Sequence, residues 1–305
     1  MTALGFGTGF RLNRRGAAGF DFGGGVLPAG ASLARGSAGT RCDVGGAIVS
    51  AAANVARFDY DPASHAPRGL LVEAAATNVV IDSQDWTTAN WTRTGVTATA
   101  TRLTETSGGT FHRTQEATAD RVMTIGAPVV VSCIASDVAG SAKRYLGLNL
   151  VAVGFGSPVF AVFDLAAGAV AAVSNGTAGI EAAPGGWLCW VSGTPTASVA
   201  NGREFYCLSN VPTTANASYA GDGASAVNVS EAQFETGTVP SSRVRSGASA
   251  GTRSADVVTL AGASGTWRFG FDDGSVQDAA LVASGGVVSV PTGLNRARIM
   301  RVALL

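Results

Sequence analysis

The chain has 305 residues, of which 46% are hydrophobic and only 14% are charged, so it can bury a large core but has a surface poor in charge. Its 21 basic and 21 acidic residues cancel, which argues against the basic surface that nucleic-acid binding requires. Four widely spaced cysteines without a C-x-x-C motif, together with only two histidines, argue against a zinc site.

The N-terminal region, residues 1–80, is rich in glycine and predicts short strands at best. In residues 1–15 the charges follow a short apolar stretch, which is the reverse of their order in a signal peptide. No apolar run approaches the ~20 residues that span a membrane. We therefore expect cytoplasmic synthesis without a signal peptide, with release by lysis. The region favours an attachment and oligomerisation arm, and a small independent β domain is the alternative.

Residues 81–243 hold the main series of predicted strands. Turn-forming pairs such as Asn175-Gly176 and Asp222-Gly223 recur about every 8–12 residues, a spacing typical of all-β sandwiches and barrels. In residues 143–151, the leucine stripe of Leu146, Leu148 and Leu150 alternates with polar and aromatic residues, which predicts a half-buried strand. This region favours a jelly-roll β-sandwich. Further strands are predicted at 129–134, 159–165, 187–191, 204–208 and 226–234.

The C-terminal region, residues 244–305, predicts a small antiparallel β meander. Trp267, Phe269 and Phe271 alternate with smaller or polar residues, and the Asp-Asp-Gly-Ser sequence at 272–275 predicts a hairpin turn. A second hairpin is predicted at 285–286 and a closing strand at 296–305. The predicted fold class is therefore all-β, with an N-terminal arm, a jelly roll and a C-terminal meander.

The cysteines and the acidic residues bear on two questions, a disulfide and a bound cofactor. Cys189 and Cys207 are predicted on neighbouring strands, where they could form a disulfide, and buried reduced thiols are the favoured alternative. We predict no cofactor. A structural Ca²⁺ between carboxylates and backbone carbonyls is neither indicated nor excluded.

Several segments resemble those of known structural proteins of bacteriophages. The first group consists of Arg57-Phe-Asp-Tyr-Asp-Pro62, Pro67-Arg-Gly-Leu-Leu-Val-Glu73 and Thr77-Asn78, and it resembles a segment common near the N-terminus of phage tail and spike proteins. Asp85-Trp86 and Asn90-Trp91 look like the first strand of jelly-roll carbohydrate-binding modules. The last strands and exit of those modules are similar to Gly186-Trp187, Gly221-Asp222-Gly223, Glu231-Ala-Gln-Phe-Glu-Thr-Gly237, Pro240-Ser-Ser242 and Thr252-Arg-Ser-Ala-Asp256.

The resemblance covers residues 40–256 and keeps the order of the family's segments. It implies a jelly roll used for oligomer building and contact with surface sugars, in a spike or fibre of a phage-like particle. Head spikes of alphaproteobacterial gene transfer agents are similar in style. The chain departs from the family at Gly186-Trp187-Leu188, because an aromatic residue often follows Gly-Trp there.

The candidate glycan-binding residues are Tyr145, Asn149, Arg144 and Tyr206. Sugars offer C–H patches and hydroxyl groups, so aromatic faces beside planar polar side chains suit them. Alternation places Tyr145 and Asn149 opposite the leucine stripe, on the predicted solvent face. Arg144 has the parity of the leucines, but its long side chain can reach the rim from the start of the strand. Tyr206 is predicted to share an outward face with Glu204, and subunit contact is the alternative for both tyrosines.

Three functions stay open: a carbohydrate-binding spike, a purely structural connector of the particle, and a capsule-degrading enzyme. We predict no enzyme, since neither His65 nor His112 lies near a nucleophile constellation. The expected partners are further copies of the chain in a trimer or pentamer, other particle proteins and cell-surface polysaccharide, without nucleic acid or membrane insertion. Four tryptophans are expected in the core or at sheet edges rather than as ligand platforms: Trp86, Trp91, Trp187 and Trp190.

Overall fold

The computed structural model describes residues 19–117, 121–142, 144–151 and 153–305. Residues 1–15, on which the expectation about a signal peptide rests, and Lys143 lie outside these ranges. Every regular element in the described ranges is a β-strand, so the predicted all-β class is confirmed. No helix that could cross a membrane occurs in the described part of the chain.

The strands are numbered β1–β28 in chain order over the described residues. Up to residue 75 they are β1 (Gly19–Asp21), β2 (Ala31–Ala34), β3 (Gly39–Cys42), β4 (Ile48–Ala51), β5 (Phe58–Tyr60) and β6 (Pro67–Leu71). Next come β7 (Ala76–Asn78), β8 (Trp91–Thr94), β9 (Val96–Thr99), β10 (Arg102–Glu105), β11 (Gly109–Glu116), β12 (Arg121–Met123), β13 (Val129–Asp137), β14 (Tyr145–Leu150) and β15 (Val159–Asp164). They are followed by β16 (Ala169–Ser174), β17 (Thr177–Ala183), β18 (Gly186–Gly193), β19 (Val199–Gly202), β20 (Glu204–Ser209), β21 (Ser218–Ala220) and β22 (Ala226–Thr236). The last are β23 (Gly251–Arg253), β24 (Val257–Ala261), β25 (Gly265–Phe271), β26 (Val276–Leu281), β27 (Val287–Ser289) and β28 (Arg298–Leu304).

The chain divides into two compact units. The first comprises the described part of Met1–Ala75 with Arg253–Leu305, and the second comprises Ala76–Thr252. In the first unit a sheet has the order β26-β25-β28-β6-β5, with β1 also paired to β28, and a smaller sheet has the order β2-β24-β27. The sequence predicted the regions 1–80 and 244–305 as separate parts, whereas their strands share these sheets. The strands of residues 19–75 are at most five residues long; β1 and β6 pair with β28 and β2 pairs with β24, while β3 and β4 pair with each other.

The predicted C-terminal hairpin is confirmed. β25 and β26 pair antiparallel around the turn at 272–275, and Trp267, Phe269 and Phe271 face the core of the first unit, each at most 3% exposed. The turn at 285–286 closes with a bridge from Ser284 to Val287, but β27 then pairs with β24 rather than with β26. The predicted closing strand is β28, whose place between β25 and β6 makes it central.

A buried ionic network lies in the first unit. Asp256 accepts a hydrogen bond from Arg35 at 3.0 Å and a second from Arg57, and its exposed fraction is 1%. Arg57 also pairs with Glu73 at 2.8 Å, and Arg253 approaches the same carboxylate at 3.5 Å. All of these residues except Arg35 come from the segments that carry the phage resemblance. The segments therefore supply a structural network in which two carboxylates neutralise buried guanidinium groups.

The second unit contains two antiparallel sheets that share one core. Their orders are β17-β18-β13-β22-β10-β9 and β16-β15-β14-β20-β11, with β8 and β21 also paired to β11. The leucine stripe of β14 packs into the same buried cluster as Val131 on β13 and Val191 on β18. The strands predicted in this region are confirmed by β13, β14, β15, β18, β20 and β22. β14 was predicted to be half-buried, but it is buried on both faces from Leu146 to Leu150.

The cysteine arrangement differs from the prediction. Cys189 on β18 lies directly opposite Cys133 on β13, while Cys207 belongs to β20 in the other sheet. The prediction that Cys189 and Cys207 lie on neighbouring strands is therefore wrong, because the chain crosses between the sheets after β18. Both thiols are buried and free, and burial raises the pKa of Cys207 to about 12.

Candidate functional site

An aromatic and polar surface, which we call the outer platform, lies on the outer face of the sheet that contains β14. It consists of Asn149 with Phe160, Phe205 and Arg113. Asn149 stands directly opposite Phe160 on β15 and Phe205 on β20. The three side chains point away from the core, because the leucines on either side of Asn149 point into it. An amide is thereby placed between two partly exposed phenyl rings.

The side-chain amide of Asn149 lies at the floor of the outer platform. The residue is 8% exposed, and its amide makes no hydrogen bond with any described residue. Such an amide offers two donors and an acceptor. The Asn149 amide is therefore available to a ligand.

Arg113 on β11 supplies a positive charge at the platform. Its guanidinium carbon lies 4.2 Å from the ring centroid of Phe205 and 4.9 Å from that of Phe111. No carboxylate in the described residues pairs with this guanidinium, and its buried Nε has no hydrogen-bond partner. The two rings orient the cation through cation–π contact. The side chain is partly exposed, so an anion in solution can approach its charge.

The segment of residues 210–217 covers the neighbouring part of this sheet. A Cβ atom at Gly147 would lie 2.3 Å from the carbonyl oxygen of Ala215, so only glycine fits beneath the segment. The Cys207 thiol contacts Asn216 at 3.8 Å under the same cover. The outer platform lies next to this covered part, where Phe160 and Phe205 are partly exposed.

Two of the predicted glycan-binding residues lie away from the outer platform. Tyr145 is partly buried at the start of β14, beyond Gly147 and the segment above it. Arg144 binds both carboxylate oxygens of Glu105, at 2.6 and 2.7 Å, and reaches Asp222 at 3.5 Å. Burial raises the pKa of Glu105, but the hydrogen bonds from Arg144 and its neighbours outweigh burial and lower it. The Arg144 side chain is therefore engaged in an ion pair.

The placement of Tyr206 on the solvent face is wrong. Its exposed fraction is 0%. Its ring packs edge-on against Trp86 and Trp91, with ring centroids 4.9 Å and 5.8 Å away, respectively. Tyr206 lies opposite Leu148 on β14, so it shares the inward parity of the leucine stripe. Phe205, one residue earlier, is the outward aromatic of this strand.

The buried hydroxyl of Tyr206 has no hydrogen-bond partner. We expect Tyr206→Phe to keep or raise the free energy of unfolding, by up to ~1 kcal/mol, because it removes an unsatisfied polar group. Urea unfolding would measure this. Tyr219→Phe is the matched control and should destabilise the protein, since the Tyr219 hydroxyl donates to Glu105 at 2.7 Å. A clear loss of stability in Tyr206→Phe would contradict the assignment of its hydroxyl as unpaired.

Two buried glutamates flank Tyr206 and share one cation. The Arg121 guanidinium bonds both Glu116 and Glu204 at 2.5 Å, and Ile81 donates its backbone N–H to Glu116. Burial raises the pKa of Glu116 to about 7, although the charge of Arg121 acts in the opposite direction. Both carboxylates are at most 4% exposed, so the three residues form a buried ionic cluster.

Sequence reasoning identified Asn149 but missed Arg113, Phe160 and Phe205. Phe205 alternates with Tyr206 on a predicted strand, which was a usable signal, whereas no strand was predicted at Phe111 and Arg113, which share one face of β11. The sequence prediction placed Glu204 and Tyr206 on the outward face of strand 204–208. The structure has both of them buried and Phe205 on the outward face.

The second unit is thus a two-sheet antiparallel β-sandwich that carries an aromatic, amide and guanidinium platform on one outer face. Neither a protein-family model nor a curated protein matches the chain.

Proposed function

We propose that the chain is a spike or fibre subunit of a phage-like particle that attaches the particle to cell-surface polysaccharide through the outer platform. The subunit acts as a homo-oligomer on the particle surface, beside other particle proteins. It is released with the particle by lysis.

Support for a jelly roll comes from the strand order of the second unit. When β10, β11, β13, β14, β15, β18, β20 and β22 are lettered B to I, the sheets contain the orders B-I-D-G and C-H-E-F. This alternation between two sheets is the order expected of an eight-stranded jelly roll. Many jelly rolls are lectin or capsid domains, which suits a particle subunit that binds sugars.

The observation that carries the proposal is that Phe205 lies between two unpaired polar groups: the Arg113 guanidinium stacks on its ring, and Asn149 stands opposite it in the sheet. Phenyl rings at Phe160 and Phe205 can cover the C–H faces of sugar rings, while the amide meets hydroxyl groups. A guanidinium binds carboxylate or phosphate groups through paired hydrogen bonds. The favoured ligand is therefore an acidic polysaccharide, such as one that contains uronic acid.

The particle assignment has different support. The segments of the phage resemblance supply Arg57, Glu73, Arg253 and Asp256, which belong to the buried ionic network of the first unit. The low charged fraction of 14% suits a chain whose surface is partly covered in an assembly. A purely structural connector would need no unpaired guanidinium on an open sheet face.

Fluorescently labelled protein applied to encapsulated cells and to a capsule-deficient derivative of the same strain tests the proposal. We expect staining of the encapsulated cells alone, competed by purified capsular polysaccharide and weakened by added salt, because the contact with Arg113 is ionic. Equal staining of both cell types would contradict polysaccharide attachment. A fall in the viscosity of the capsule solution would instead indicate a degrading enzyme.

A further inference from the structure

The second unit contains a groove on the outer face of its other sheet. The groove has a volume of about 430 Å³, and its lining includes Trp190, Thr177, Ser192, Thr194, Asn175 and Thr238. Trp190 lies on β18 between Cys189 and Val191, both of which point into the core, so its ring faces outward. Of the two expected placements of Trp190, core or sheet edge, the structure shows the second, since its ring lies against Gly179 of the edge strand β17.

The Trp190 ring lies against the neighbouring strand. A Cβ atom at Gly179 on β17 would lie 2.6 Å from atoms of the ring, so the absence of a side chain there lets the indole approach the backbone. Gly179 lies directly opposite Trp190 in the sheet. The backbone of β17 therefore supports the Trp190 ring, which lines the groove.

The indole N–H of Trp190 distinguishes it from the other tryptophans. It has no hydrogen-bond acceptor among the described residues. The other indoles donate to backbone carbonyls: Trp86 to Val229 at 3.0 Å, Trp91 to Asp82 at 3.4 Å, Trp187 to Leu165 at 2.9 Å and Trp267 to Ala263 at 3.2 Å. The N–H of Trp190 is free to donate to a ligand.

The polar groups around the ring determine the class of ligand. Threonine and serine hydroxyls and the Asn175 amide line the groove, and no acidic or basic side chain does. Asn175 uses its amide nitrogen on the Pro158 carbonyl at 3.1 Å, which leaves its side-chain oxygen as an acceptor. Hydroxyls around an aromatic ring, without charge, match a neutral sugar. The volume lies within the ~300–1,000 Å³ of small-molecule sites.

We infer that this groove is a second carbohydrate-binding site, specific for neutral pyranose units, on the face opposite the outer platform. The inference rests on the proposed function for its ligand class but uses different residues. Together the two sites let one domain hold an acidic and a neutral stretch of surface polysaccharide.

Indole signals in a ¹H–¹⁵N correlation spectrum of the full chain test this inference. Trp190→Phe identifies the Trp190 signal by its disappearance, and the bonded indole of Trp187 is the internal control. We expect D-glucose, D-galactose or D-mannose to shift the Trp190 signal progressively while the Trp187 signal stays in place. D-glucuronate should shift it less, because no cation lines the groove.

A Trp190 signal unmoved by all three neutral sugars would overturn the inference, as would an equal response to D-glucuronate. If the signal is unmoved while the protein still stains encapsulated cells, the proposed function stands without the groove. If the signal shifts while staining is absent, the groove stands and the proposed function fails.

Discussion

Replacing Asp256 with asparagine is expected to destabilise the first unit by ~3–5 kcal/mol, a large part of the stability of an ordinary domain. The carboxylate contacts Arg35 and Arg57, both at most 1% exposed, and Glu73 is the nearest remaining anion. Asparagine keeps the size of the side chain but not its charge. Arg35 would then lose the carboxylate it pairs with, and Glu73 alone would remain for Arg57 and Arg253 in a poorly solvated environment.

Urea unfolding followed by hydrogen-exchange mass spectrometry would measure this, with peptides from 253–305 reporting on the first unit. Asp278→Asn is the matched control, because Asp278 pairs with Arg268 at the surface, where both side chains are about one-third exposed. The control should unfold close to the wild-type urea concentration. Equal midpoints for the two variants would show that the buried network contributes little.

Replacing Arg113 with glutamine is expected to have the largest effect on attachment. A charge-assisted hydrogen bond contributes ~1.5–3 kcal/mol, so the loss of the guanidinium should weaken a single site ~10-fold or more. When two sites of one oligomer bind the same polymer, the two ~10-fold losses of affinity multiply, so the oligomer binds ~100-fold more weakly. Biotinylated chain mounted on streptavidin supplies several copies and allows the single and multivalent affinities for purified acidic polysaccharide to be compared.

Arg102→Gln is the control for this experiment, since Arg102 is an exposed arginine of the same unit that bonds Asn228 at 3.0 Å. Its affinity should match that of the wild type. Unchanged thermal unfolding of Arg113→Gln would exclude a folding defect. Wild-type attachment by a folded Arg113→Gln protein would rule out the outer platform as the ionic site.

The sequence by itself determined the all-β class, most of the central strands and the C-terminal hairpin. Alternation in β14 and β25 is a local property, and the turn sequence at 272–275 acts within a few residues. For β14 it also determined the direction of the side chains, because three leucines share one parity and can only be buried. Asn149 was identified for that reason.

Only the tertiary structure decided which residues meet outside the core. Both faces of the strand at 204–208 carry an aromatic residue, so alternation alone does not decide whether Tyr206 or Phe205 is buried. The packing of Tyr206 against Trp86 and Trp91 decides it. Arg113 joins Phe205 from a strand some ninety residues earlier in the chain. The cover over Gly147 and the support of Trp190 by Gly179 likewise depend on neighbours in space. Period two specifies that side chains alternate, but long-range strand pairing and covering loops decide which face stays open.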